Sequence, residues 1–258
     1  MAYALLVLVS LFSLFGAADA AERIETVTTR PNVTVPIYVQ DVPGATSALL
    51  IFTGGRGQNF READGRIKLS RNFLIRVMLQ FAQRGLAVVV LGVPSDQERV
   101  FSDDYRTSHE HSADVQAVVQ RINEMGYQDV FLIGTSRGTI STAHLGSELK
   151  TTAIKGVILT STMDNAKFLR WVKLEQTPYP VLFVHHKNDY CKVSPVEGAR
   201  RSAQRMKNSP SVQFVELDGG ISPQSDECEP LSNHGFFGIE DKAVNAIVQW
   251  ARSLPKKE

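Results

Sequence analysis

The chain has 258 residues, 28 Lys and Arg against 27 Asp and Glu, a formal charge of +1, and 43 % apolar residues. So even a balance excludes nucleic acid or another polyanion as the expected partner, and the length supports one large core without staples. After the N-terminus no apolar run reaches membrane-spanning length, and neither an internal repeat nor a low-complexity block occurs.

Leu5 to Phe15 is an apolar stretch too short to span a bilayer, followed by small residues and Ala18-Asp19-Ala20. This is the layout of a secretory signal with an A-x-A cleavage site, although the n-region lacks Lys and Arg, and an uncleaved anchor is the alternative. Residues 1–20 are therefore read as a signal peptide and 21–258 as a single domain of a secreted or periplasmic protein, with no stable membrane span after cleavage. Loss of the one acid in that segment, Asp19, takes the charge from +1 to +2. The sequon at Asn32 is better explained by chance than by glycosylation.

The Thr/Val-rich stretch Thr26 to Gln40 is expected to form edge strands. Ser47 to Phe52 is the next strand, ending in the glycine-rich loop Thr53-Gly54-Gly55-Arg56-Gly57. Phe73, Val77, Phe81 and Ala82 share one face of a helix before the strand Ala87 to Leu91. His109 and His111 come next, read with Asp114 as a solvated entry lying before the helix whose face carries Val115, Val118, Val119 and Ile122. The strand Val130 to Ile133 leads through Gly134-Thr135-Ser136-Arg137-Gly138 into a helix over Thr139 to Leu149, where His144 is a packing or surface residue.

Val157 to Thr160 and Val181 to Val184 are strands whose intervening segment has room for a helix but not for a large lid. After the second come His185-His186-Lys187-Asn188-Asp189, then the strand Val212 to Leu217 and the loop Ser232 to Gly238. A final helix carries Val244, Ile247, Val248 and Ala251 on one face. Apolar runs with little polar alternation suit strands buried on both faces, and alternating helices supply parallel crossovers. The expected class is α/β, a mostly parallel central sheet with helices on both faces, and functional residues are expected at the carboxyl ends of the strands.

A Gly-x-Ser-x-Gly between strand and helix is a candidate nucleophile elbow, with a turn so sharp that the serine is strained and its neighbours must be small. A serine hydroxyl needs a histidine to take its proton, and the imidazole needs a carboxylate to fix its tautomer. Asp189 and His234 each lie in a loop after a strand, downstream of Ser136 and in the order Ser, Asp, His. Asp164, after the preceding strand, is the alternative acid. His185 and His186 are read as loop residues supporting the site, because adjacent strand residues point to opposite faces and do not converge on a metal.

Through Gly134 to Gly138, the His185 to Asp189 loop and His234-Gly235-Phe236, the mature chain resembles the α/β-hydrolase fold family over nearly all of its length. It is similar to compact, lidless, exported bacterial members of the esterase and dienelactone-hydrolase-like group. The resemblance implies Ser136, Asp189 and His234 as the catalytic triad and no cofactor. It also implies an oxyanion hole from the Arg137 N–H and the Gly55 N–H, although Thr53 stands where such families often carry a histidine. The implied activity is serine hydrolysis of a small-molecule carboxylic ester through an acyl-enzyme. Peptide, amide or thioester hydrolysis and a catalytically silent scaffold that binds a ligand or partner are the alternatives.

In an exported protein Cys191 and Cys228 are expected to be bridged, which ties the Asp189 loop to the His234 loop. Arg56, Arg106 and Arg137 are candidates either for contact with an acidic acyl or alcohol group or for structural salt bridges.

Overall fold

The computed structural model describes residues 22–58, 60, 68–98, 100–164 and 166–255; the expected signal peptide of residues 1–20 lies outside them. Eight strands form one sheet: β1 (Glu22–Arg30), β2 (Val33–Gln40), β3 (Ser47–Phe52), β4 (Ala87–Leu91), β5 (Asp129–Thr135), β6 (Ile154–Thr160), β7 (Val181–His186) and β8 (Val212–Leu217). Their spatial order is β1-β2-β4-β3-β5-β6-β7-β8. β2 runs antiparallel to both β1 and β4, and every other pairing is parallel.

Seven helices accompany them among the described residues: α1 (Phe73–Arg76), α2 (Met78–Gln83), α3 (Asp103–Arg106), α4 (His109–Glu124), α5 (Gly138–Glu148), α6 (Val196–Arg205) and α7 (Glu240–Ser253). No large cap domain interrupts them among the described residues.

The central strands are apolar at nearly every position because both of their faces are covered. Leu50, Phe52, Leu132 and Val157 pack with α4 residues Val115, Val118 and Ile122 on one face. Leu49, Ile51, Ile133 and Ile158 pack with Phe81, Val244 and Ile247 on the other. Neighbouring residues of a strand thus feed two cores, as the period of two requires.

Three expectations about the elements change. The Thr/Val-rich opening is a hairpin in which β1 alone is an edge; β2 lies inside the sheet, paired through Ile37 to Leu91 and Gln40 to Val88. The helix read through Phe73 to Ala82 is two short ones broken at Val77, whose φ of −103° and ψ of 3° leave the helical range. His109 and His111 do not precede a helix but open α4, capped by the Ser108 hydroxyl, which accepts from the His111 N–H at 3.1 Å.

β1 is fixed to the body by a buried polar cluster. The Asp114 carboxylate, wholly buried, accepts from Arg30 at 2.8 and 2.9 Å, from the Thr29 hydroxyl, and from the Tyr105 hydroxyl at 2.6 Å. Burial, and then this hydrogen bond, push the Tyr105 hydroxyl far up.

Candidate active site

β5 ends at Thr135 and α5 begins at Gly138, leaving two residues for the turn. Ser136 takes a left-handed φ of 52°, which costs a non-glycine residue on the order of 1 kcal/mol or more and is held by its surroundings. Its N–H donates to the Thr160 carbonyl of the neighbouring strand at 3.1 Å, and its own carbonyl accepts from the Thr139 N–H at 2.8 Å and the Thr139 hydroxyl at 2.6 Å. The flanking glycines are steric requirements. A Cβ at Gly138 would stand 1.9 Å from the Phe52 carbonyl oxygen, and one at Gly134 would stand 2.3 Å from Thr142 Oγ1.

His234 sits in a short 3-10 turn, Asn233–Gly235, after β8, and its ring is almost wholly buried. Its Nδ1 lies 3.0 Å from Asp189 Oδ2 and 3.0 Å from the Ser194 hydroxyl, which itself donates to Asp189 Oδ2 at 3.3 Å. Asp189 follows β7, and its other oxygen accepts from the Cys191 N–H at 3.0 Å. A carboxylate so held keeps the proton of the imidazole on Nδ1 and the lone pair on Nε2. His234 Nε2 is buried with no hydrogen-bond partner among the described residues, and His234 and Ser136 line the same cavity, of about 380 Å³.

Further contacts fix the His234 loop. The Ser161 hydroxyl donates to the His234 carbonyl at 2.7 Å, and Arg76 donates to the carbonyls of Pro230 at 2.8 Å and Gly235 at 2.9 Å while bonding Glu240 at 2.7 Å. Cys191 and Cys228 form a disulfide across a separation of 37 residues, and Cys228 reaches the cavity wall. Asp189, Cys191 and His234 hold donor atoms within 4.8 Å of one another. They are nevertheless a poor metal set, because the sulfur is bonded to Cys228 and the carboxylate and imidazole to each other.

Asp164 is placed elsewhere. It accepts from the N–H groups of Ala166 at 2.7 Å and Lys167 at 3.1 Å and from Arg201 at 3.4 Å, and bonds neither His234 nor Ser136.

The glycine-rich loop after β3 forms the facing wall. Gly54 stands so close to the elbow that a Cβ there would be 3.0 Å from Ser136 Cβ, and Gly55 adopts a φ of 57°. The N–H groups of Gly55 and Arg137 donate to no described residue, so both remain available to an oxygen bound in the cavity they line. Arg106, wholly buried, donates to Ser141 Oγ at 3.1 Å and to the carbonyls of Thr53 and Gly55 at 3.3 and 3.2 Å. It meets no carboxylate within ion-pair distance among the described residues, and burial pushes its guanidinium down to about 10.

The other histidines serve the scaffold. His185 and His186 are the last residues of β7 and not loop residues. His185 Nε2 accepts from the Thr162 N–H at 2.7 Å, and burial pushes the ring down to about 4. His186 bonds the Gly219 carbonyl at 2.8 Å and accepts from the Asn188 N–H at 3.0 Å. His144 is buried against Ser112 Oγ at 3.0 Å. His111 is a correction to the solvated reading: it lies fully buried among Phe52, Phe101 and Tyr105, with neither ring nitrogen partnered among the described residues. Burial holds it neutral, well below the ordinary histidine range.

Sequence reasoning missed Ser194, which bonds His234, and Arg71 and Asn72, which line the cavity. Asn72 Oδ1 caps α1 through the Leu74 N–H at 3.2 Å, and its amide lies beside Gly54 in the cavity wall. An Asn before an apolar helical run is a cap signal that the sequence did offer; Ser194 and Arg71 carry no comparable local signature.

No protein-family model and no curated protein sequence matches the chain. Solved structures do match it. An esterase from Pyrococcus furiosus superposes with a TM-score of 0.64 at 14 % identity, covering 91 % of this chain and 93 % of its own. A soluble variant of monoglyceride lipase from Saccharomyces cerevisiae, in complex with a substrate analogue, gives 0.64 at 11 % identity, covering 95 % and 99 %. A Xanthomonas campestris member of the α/β serine hydrolases without a lid gives 0.60 at 13 % identity, covering 92 % and 97 %. Identities this low speak for shape alone, and with the strand order, the crossovers and the site at the carboxyl ends of the strands they show that this chain has the α/β-hydrolase fold.

Proposed function

We propose that the protein is an exported serine hydrolase that cleaves small-molecule carboxylic esters through an acyl-enzyme on Ser136. The observation that carries the reading is a strained Ser136 and a His234, its Nδ1 held by Asp189 and its Nε2 without a described hydrogen-bond partner, lining one cavity. In the first step Ser136 Oγ bonds to the ester carbonyl carbon as His234 Nε2 takes its proton, and the N–H groups of Arg137 and Gly55 donate hydrogen bonds to the carbonyl oxygen as it becomes negative. The carbon–oxygen bond to the alcohol then breaks and the alcohol leaves with the proton from His234. Water attacks the acyl-enzyme, gives a proton to Nε2, and Ser136 recovers it as the acid departs.

Export to an oxidising compartment belongs to the same proposal, and the disulfide supports it. A fluorophosphonate probe should label the wild-type protein at Ser136. Ser136→Ala should abolish labelling and lower aryl-ester turnover by about 10⁴-fold or more with an unchanged melting temperature. An unlabelled wild-type protein would favour a silent scaffold; amide and thioester analogues of one acyl group would assign the preferred bond.

A further inference from the structure

The walls of the cavity are unequal in charge. Phe73, Met163 and Val193 make one part apolar, while among the described residues Arg56, Arg71 and Arg137 stand against a single carboxylate, Glu229. Arg137 is already answered by Asp103 at 3.0 Å and packs over Phe168. Arg56 and Arg71 are not answered: both are exposed, and among the described residues neither side chain has an ion pair or hydrogen bond with a carboxylate, Glu229 included.

Their backbones are nonetheless fixed. The Arg56 carbonyl accepts from the Phe101 N–H at 2.8 Å, the Phe101 ring fills the space a Cβ on Gly57 would need, and the Arg71 carbonyl accepts from Arg76 at 3.0 Å. Beneath the same loop lies the charge of Arg106, bonded only to neutral oxygens among the described residues. Guanidinium forks carried on a fixed backbone beside the cavity suit a planar anion on the substrate, because bidentate carboxylate binding uses this donor geometry.

We infer that the substrate is an ester that also carries a carboxylate, held by Arg56 and Arg71 at the rim while an apolar spacer lies along Phe73, Met163 and Val193 and the ester carbonyl meets Ser136. The inference rests on the hydrolase reading of Ser136 and names its substrate class. Long-range attraction of an anion to such a rim weakens with salt.

The test compares p-nitrophenyl hydrogen adipate with its methyl ester, which keeps the length and removes the charge, in wild-type protein and in Arg56→Gln, Arg71→Gln and the double variant. Wild type should favour the charged ester in kcat/KM by about tenfold at low ionic strength, with the ratio shrinking as salt rises. Each single variant should lower the ratio and the double variant should bring it to about one. A wild-type ratio of one or below overturns the inference, as does a ratio that the double variant leaves unchanged. Turnover of neither ester by protein that still takes the fluorophosphonate label counts against the inference alone. Absence of both label and turnover removes the underlying hydrolase reading as well.

Discussion

Two acids follow neighbouring strands, and only one of them reaches the imidazole: Asp189 Oδ2 is 3.0 Å from His234 Nδ1, whereas Asp164 holds two backbone N–H groups and Arg201. Under the proposed mechanism Asp189→Asn should lower kcat by on the order of 10⁴ through the wrong imidazole tautomer, and Asp164→Asn should change it by only a few fold. Steady-state kinetics on one aryl ester decides, and the reverse order would move the acid's role to Asp164.

His111 makes a separate point at the same scale. A histidine held neutral in the fold charges in the unfolded chain near pH 6.5, so its contribution to stability is present above that pH and is lost as pH falls below it. His185, pushed down to about 4, adds in the same direction between about pH 6.5 and 4. His111→Phe fits a box of Phe52, Phe101 and Tyr105 and gives up no described hydrogen bond of the ring. The variant should melt at or above the wild-type temperature and lose less stability between pH 7 and 5, by up to about 1.4 kcal/mol per pH unit. Thermal melts across that range test it, and an unchanged slope would remove His111 as its source.

Among the elements, the loops after β7 and β8 carry Asp189 and His234, the proposed acid and base, and are joined by the Cys191–Cys228 bridge. Closing 37 residues is worth about 4 kcal/mol in the chain-entropy model, and the bridge also neighbours the Cys191 N–H that holds Asp189. Reduction, or Cys191→Ser with Cys228→Ser, should lower the melting temperature and reduce kcat more than it raises KM. Unreduced protein whose thiols both alkylate freely would eliminate the bridge and this effect. The opposite end of the base loop depends on α1, where Arg76 bonds two of its carbonyls. The helix break at Val77 leaves Arg76 as the last residue of α1.

For the molecule as a whole, no helix among the described residues is long and apolar enough to cross a membrane. The proposal of export predicts a mature chain that begins at or next to Ala21 when the full sequence is expressed in a secreting host. N-terminal sequencing of protein from the periplasm or medium, together with the mass of the intact disulfide, checks it; an uncleaved N-terminus in a membrane fraction would favour the anchor.

Strand positions were legible in the sequence because the central strands, covered on both faces, are unbroken apolar runs: Ala87 to Leu91 and Val181 to Val184 appear in the structure within two residues of their expected ends. The elbow was legible because a two-residue turn between β5 and α5 tolerates no Cβ at Gly134 or Gly138, a constraint that must appear in the residues themselves. Ser136, Asp189 and His234 could be read together as candidates because parallel crossovers bring the loops after the parallel strands to one sheet edge.

What the tertiary structure decided are contacts between segments remote in the chain. β2 lies beside β4 and not β3, so a stretch that reads as an edge is interior. His111, polar and at a helix start, is buried because three aromatic rings from β3, α3 and the loop before α3 close over it. Ser194 meets His234 across 40 residues and Arg106 meets the Gly55 carbonyl across 51. Local propensity and periodicity report only what a residue does to its own turn or strand, whereas burial and partnership depend on which distant surfaces the fold brings together.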